Sequence, residues 1–184
     1  MKELSLFILD IAQNSLSANS KNLEITLEES NNQLTITIKD DGSGMDRDTL
    51  NRVENPFFTT RTTRKVGLGI PFFKQAAEQT GGFLSIQSLS ETDNPSNHGT
   101  TVTALFYKNS IDYTPMGDIV STVCALVQGL GITNFIYTHT FEKGRVELDT
   151  NILRKTLKDI PLDNPEVINW IREYLEEQYA DYEK

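Results

Sequence analysis

Two hydrophobic periods alternate along this chain, and the switches between them mark its elements. Leu4, Phe7, Ile8, Ile11 and Ser15 recur at helical spacing and predict a helix over residues 3–18 with one face toward a core. The period then drops to two. Leu23-Glu-Ile-Thr-Leu27 and Leu34-Thr-Ile-Thr-Ile38 read as strands, and the turn-rich Glu29-Ser-Asn-Asn-Gln33 between them makes a hairpin. A short helix is expected from Met45 to Val53, ended before Pro56. A second apolar helix opens at Val66-Gly-Leu-Gly-Ile70, runs through Phe72, Phe73, Ala76 and Ala77, and stops at Gly81-Gly82. Strands follow at Phe83–Leu89 and Gly99–Phe106, with a polar loop from Glu91 to His98.

Beyond Tyr107 the composition shifts, and a linker-like Asp112–Gly117 leads to a helix from Asp118 to Gln128. Strands are expected over 132–140 and 145–148, then a helix to Lys158 capped by Asp149 or Thr150. A last helix spans Glu166–Tyr182. Its apolar members Ile168, Ile171, Leu175, Tyr179 and Tyr182 fit packing against its own unit or docking of a partner. The expected organisation is a domain over 1–110 and a small α/β unit over 111–184 of unassigned role, through which a protein partner is expected.

The chemistry concentrates where strand gives way to turn. Lys39-Asp-Asp-Gly-Ser-Gly-Met-Asp46 places a carboxylate before two glycines, Gly42 and Gly44, which permit positive φ and close approach of another group to the backbone. A carboxylate there can accept from an amino group, or the stretch can be a tight turn with solvated aspartates. Asp10 and Asn14 lie about 40° apart around the first helix, on the flank of its apolar stripe, facing either a pocket or solvent. Residues 55–65 carry Arg61, Arg64 and Lys65 without one acid, as an anion site or as an exposed loop balancing acidic neighbours. Gly67 and Gly69 open the following helix, whose free N–H groups and dipole favour phosphate; Pro71 sits in its first turn.

Charge and composition narrow the classes. In 184 residues, 38% apolar and 23% charged, the net charge of −9 opposes general binding to nucleic acid or to anionic membranes. A single Cys124 excludes an intrachain disulfide and fits a reducing compartment. Leu6-Phe-Ile-Leu9 is too short for a signal peptide and is interrupted by Asp10, so a cytoplasmic location is expected. His98 and His139 read as structural: no metal-ligand spacing involves them.

Taken in order, the helix with Asp-x-x-x-Asn, the strand pair, Asp-x-Gly-x-Gly, the basic lid, Gly-Leu-Gly-Ile at a helix start and Gly-Thr-Thr-Val in a strand resemble the Bergerat-fold (GHKL) ATPases. The likeness covers residues 3–107. It implies an α+β, two-layer α/β sandwich, a mixed sheet backed by helices, with ATP between helices and lid and the C-terminal α/β unit appended. By resemblance, Asn14 holds Mg²⁺ on the phosphates, Asp40 accepts from the adenine amino group, and Gly42 and Gly44 lie beside the base. Gly67, Leu68 and Gly69 face the phosphates with Arg61, Arg64 and Lys65 from the lid, and Thr100 supports Asp40. Two positions depart from the pattern: Lys65 replaces the first glycine of the helix-opening motif, and Asp10 stands where the hydrolysing and serine-kinase branches usually carry a glutamate base. The expected activity is transfer of the γ-phosphoryl group to water or a protein hydroxyl in cytoplasmic signalling, with Asp10 activating the nucleophile. The alternative is a nucleotide-gated binding module with little turnover.

Overall fold

The computed structural model of the protein describes residues 3–53 and 69–182. Its elements run α1 (Leu4–Ser17), β1 (Asn22–Ser30), β2 (Gln33–Asp40), α2 (Arg47–Arg52), α3 (Gly69–Gln79), β3 (Phe83–Leu89) and β4 (Gly99–Tyr107). They continue as α4 (Ile119–Gly129), β5 (Asn134–Phe141), β6 (Gly144–Asp149), α5 (Thr150–Leu157) and α6 (Pro165–Ala180). The six strands form one mixed sheet, ordered β3-β4-β2-β1-β5-β6. β1 pairs with β5 in parallel and every other neighbour is antiparallel.

The alternation seen in the sequence sets the two faces. Leu23, Ile25 and Leu27 of β1, Leu34, Ile36 and Ile38 of β2, Val102, Ala104 and Phe106 of β4, and Phe135 and Tyr137 of β5 are all buried. The intervening residues, largely Thr, Glu and Lys, point to the other side and are half-buried or exposed. Helices α3, α1, α4 and α6 lie side by side over the apolar face. Phe73 of α3 joins the layers, buried between Phe7 of α1 at 5.4 Å and Phe106 of β4 at 5.5 Å between ring centres. The hairpin turn between β1 and β2 follows from Asn31 and Asn32, both at positive φ (49° and 61°), as a two-residue primed turn requires.

The sheet runs across the boundary expected at residue 110. β5 extends the β1 edge from Asn22↔Asn134 to Glu28↔Thr140, and β6 closes that side. The linker reaches back to the start of α1, where Pro115 and Met116 carbonyls accept from the N–H groups of Leu4 (2.9 Å) and Ser5 (2.8 Å). Those are donors that a helix start leaves without intrahelical partners. α4 packs beside α1, and Thr122 donates to the Ser5 carbonyl. The C-terminal third therefore braces the helix that carries Asp10 and Asn14. α6 packs inward through Val167, Ile171 and Leu175, while Gln178 bonds both backbone groups of Glu147 on the outer strand β6. That contact occupies edge hydrogen bonds that would otherwise stay open. Trp170 remains half-exposed, stacked on Tyr174.

Candidate functional site

At one end of the helix-covered face, the apolar rows of the sheet give way to a polar row. Each strand reaches it by continuing its own alternation by one step: Ile38 to Asp40 on β2, Val102 to Thr100 on β4, Ile86 to Ser88 on β3. Register places them side by side, Ser88↔Thr100 and Thr100↔Asp40. Ser15, on the buried stripe of α1, descends onto Asp40 and donates to Oδ2 at 2.5 Å. The Gly42 N–H donates to Oδ1 at 2.9 Å. A carboxylate offers about four lone-pair sites, so two donors leave Asp40 with acceptor capacity in a half-buried position.

The adjacent Asp41 has a different task. Its carboxylate accepts from the N–H groups of Lys21 (2.7 Å) and Asn22 (2.8 Å) and from the Asn22 side chain (2.7 Å). Burial alone would raise its pKa, but these donors outweigh it and hold the carboxyl below its usual range. Asp41 thus fastens the start of β1, and Asp40 is the aspartate turned toward the helix layer.

The turn after β2 is held from three sides. Ser43 N–H donates to the Ala18 carbonyl at 3.0 Å, Glu91 N–H donates to the Ser43 carbonyl at 2.8 Å, and His98 Nδ1 meets the Gly42 carbonyl at 2.6 Å. A carbonyl only accepts, so that nitrogen carries the proton. Gly44 has φ +63° and lies against the Leu89 carbonyl, where a side chain would have neither the conformation nor the space. Ser88 ties the row to this turn: its hydroxyl accepts from Met45 N–H at 2.8 Å and lies 2.8 Å from the Thr100 hydroxyl and 3.1 Å from the Gly99 carbonyl.

Helix α1 links this end of the sheet to the start of α3. Asp10, Asn14 and Ala18 fall on one ridge of α1, spanning about 12 Å at 1.5 Å per residue. At the upper end the Asp10 carboxylate presses on Gly69, where any Cβ would overlap Oδ2. At the lower end Ala18 packs on buried Gly42, less tightly: a Cβ there would lie 2.9 Å from the Ala18 Cβ, against 1.8 Å between a Gly69 Cβ and Asp10 Oδ2. Asn14 lies midway and is half-buried. Among the described residues, Asp40, Gly42, Gly44 and Thr100 share one end of the sheet, and the α1 ridge with Asn14 and Asp10 leads from there to Gly69. The Thr100 hydroxyl engages Ser88, and the side-chain donor to Asp40 is Ser15. Arg61, Arg64, Lys65, Gly67 and Leu68 lie outside the described residues. Ser15 and Ser88 do not stand out in the sequence as site residues. The signal that could have found Ser88 is a polar residue in the buried phase of its strand, at the same strand end as Asp40 and Thr100.

A cavity of about 600 Å³ opens next to Ser88, lined by Met45–Asp48, Leu50, Leu89, Ser90 and Asp93. It reaches neither Asp40 nor Asn14, and its three aspartates would repel a polyphosphate.

Residues 2–110 match the family described as Histidine kinase-, DNA gyrase B-, and HSP90-like ATPase, and the chain belongs to that family. The family's ligand is ATP, which suits an inward-facing carboxylate with acceptor capacity left. Among curated relatives, Sensor histidine kinase YvrG of Bacillus subtilis (strain 168) is 31% identical over 101 residues, 52% of this chain but only 16% of that protein. The chain therefore corresponds to a small part of that relative's length. Among solved structures, the N-terminal domain of a DNA repair protein superposes with a TM-score of 0.59 at 15% identity, covering 81% of this chain and 52% of the other. That likeness is one of fold, and it extends beyond the residues of the family match. No helix among the described residues is long and apolar enough to cross a membrane.

Proposed function

We propose that this protein binds ATP with Mg²⁺ and transfers the γ-phosphoryl group to water or to a protein hydroxyl as part of cytoplasmic signalling. The observation that carries the reading is Asp40, held by Ser15 and Gly42 at the end of β2 with acceptor capacity to spare. A carboxylate in that setting accepts from an exocyclic amino group such as that of adenine and opposes a carbonyl such as the O6 of guanine. Asn14, one helical turn from Asp10, offers Mg²⁺ a neutral amide oxygen, with phosphates and waters completing the shell. Bound Mg²⁺ would neutralise phosphate charge.

Asp10 stands at the start of α3, the end at which a helix favours anions. In the proposed step an oxygen nucleophile bonds to the γ-phosphorus as the bridging β–γ P–O bond breaks, ADP leaves, and Asp10 takes the nucleophile's proton. Lys65, Arg61 and Arg64 belong to the same reading as cations for the phosphates, with Gly67, Leu68 and Gly69 at the helix start. Residues 111–184 are proposed as the part that meets a protein partner. Calorimetry with ATP, ADP and GTP in Mg²⁺ tests the base assignment: ATP is expected to bind at least tenfold tighter than GTP, and equal affinities overturn it. Incubation with γ-labelled Mg·ATP tests the chemistry. Label released as phosphate or found on a protein supports transfer, and label retained in ATP with tight binding leaves a nucleotide-gated module instead.

A further inference from the structure

The buried donor to Asp40 comes from an unexpected element. β4 presents Thr100 directly beside Asp40 in register, yet its hydroxyl pairs with Ser88 at 2.8 Å. The aspartate is served instead from the helix layer by Ser15, which is 5% exposed. A serine hydroxyl has one proton and two candidate acceptors here. The Ile11 carbonyl lies at 3.5 Å, too long for a good bond, while Asp40 Oδ2 lies at 2.5 Å, the length of an O–H bond to a charged oxygen. The proton therefore belongs to the aspartate. With Gly42 N–H on Oδ1, one donor sits on each carboxylate oxygen, and the carboxyl plane has no freedom to turn.

We propose that Ser15 is the positioning residue for base recognition: it aims Asp40 so that an unused lone pair meets the amino group of the bound purine. This rests on the reading of Asp40 as the base acceptor and adds to it the residue that sets its direction. The effect belongs to a ligand that carries the amino group. A purine lacking that group makes no bond to Asp40 and is blind to how the carboxylate is aimed.

The test compares Mg·ATP with the Mg²⁺ complex of purine riboside triphosphate, which lacks only the 6-amino group, on the full chain and on Ser15→Ala. Alanine is the better helix former, so Ser15→Ala keeps α1, and a thermal melt verifies the fold. Ser15→Thr retains the hydroxyl and serves as the conservative control. ATP affinity is expected to fall about tenfold or more in Ser15→Ala, the scale of a hydrogen bond to a charged group. It should recover at least in part in Ser15→Thr, and the amino-free nucleotide should be unchanged throughout. Unchanged ATP affinity in Ser15→Ala overturns the proposal, and so does an equal loss for both nucleotides, which marks a general packing role. If the unaltered protein binds the two nucleotides equally, the reading of Asp40 itself falls and takes this inference with it.

Discussion

The β1–β2 hairpin carries a hydrogen-bonded carboxylate at each end, and the two differ in what the protein supplies to them. Asp40 closes β2; Glu29, near the end of β1, lies opposite Leu34, about 20 Å along the sheet. Glu29 takes the Lys108 ammonium on Oε2 and His139 Nε2 on Oε1 at 3.2 Å. His139 Nδ1 lies 2.9 Å from the Tyr179 hydroxyl, which lies 2.5 Å from that of Tyr137. In the neutral imidazole the donors all point one way: Tyr137 to Tyr179, Tyr179 to His139, His139 to Glu29. The His139 bond, against the opposing effect of burial and with help from Lys108, lowers the Glu29 carboxyl to about 2. Burial raises the Tyr137 and Tyr179 hydroxyls, which stay protonated as the chain requires. Every strong partner of Glu29 is thus supplied by the protein, from β4's end, β5 and, through His139, α6. Among the described residues, Asp40 has only a neutral hydroxyl and an amide. Glu29 has its charge matched by a cation within the fold, whereas Asp40 keeps acceptor capacity beyond its two neutral donors.

That contrast can be broken from either end. The largest effect is expected from His139→Ala, which removes a 3% exposed ring packed at a tilt against Phe141 and takes a partner from Glu29. Loss of about 3 kcal/mol or more in urea unfolding is expected, with nucleotide affinity of the folded fraction unchanged. A matching loss of affinity at constant stability would reverse the assignment of the two ends. Asp40→Asn should do the opposite. Nucleotide affinity should drop by roughly ten- to a hundredfold in calorimetry, while the melting temperature moves little.

Acid gives a graded version of the same comparison. Glu29 titrates near 2 in the folded chain against an ordinary value of 4.5, so its contribution is full above pH 4.5 and is lost as pH falls toward 2. The unaltered protein should lose on the order of 2 kcal/mol more than Glu29→Gln across that window. Identical acid profiles would remove Glu29 from its structural role. Smallest in stability is Gly69→Ala. The atom in its way is the far end of a side chain, so the fold should hold within about 1 kcal/mol while Asp10 is pushed aside. Phosphate release should fall with ATP affinity kept; unaltered release would take Asp10 out of the proposed chemistry.

Much of this was legible in the chain itself, for a local reason. A strand's period of two is written in adjacent residues, so Leu34, Ile36 and Ile38 already place Asp40 in the buried phase and Asp41 outside it. The Asn31-Asn32 turn, the glycine turn after β2 and the ridge of Asp10 and Asn14 on α1 are likewise set within a few residues. Relations across long stretches of chain carry no such mark. Nothing near Ile132–Thr140 says that β5 will pair in parallel with β1, because a parallel partner comes with no connecting turn of its own. For the same reason the C-terminal third read as a separate unit, although it completes the sheet that holds the site. The partnership of Glu29 with His139, and of Ser15 with Asp40, was decided only by tertiary packing: a side chain's hydrogen-bond donor is chosen by which element is laid across it, and here a helix supplied what the neighbouring strand did not.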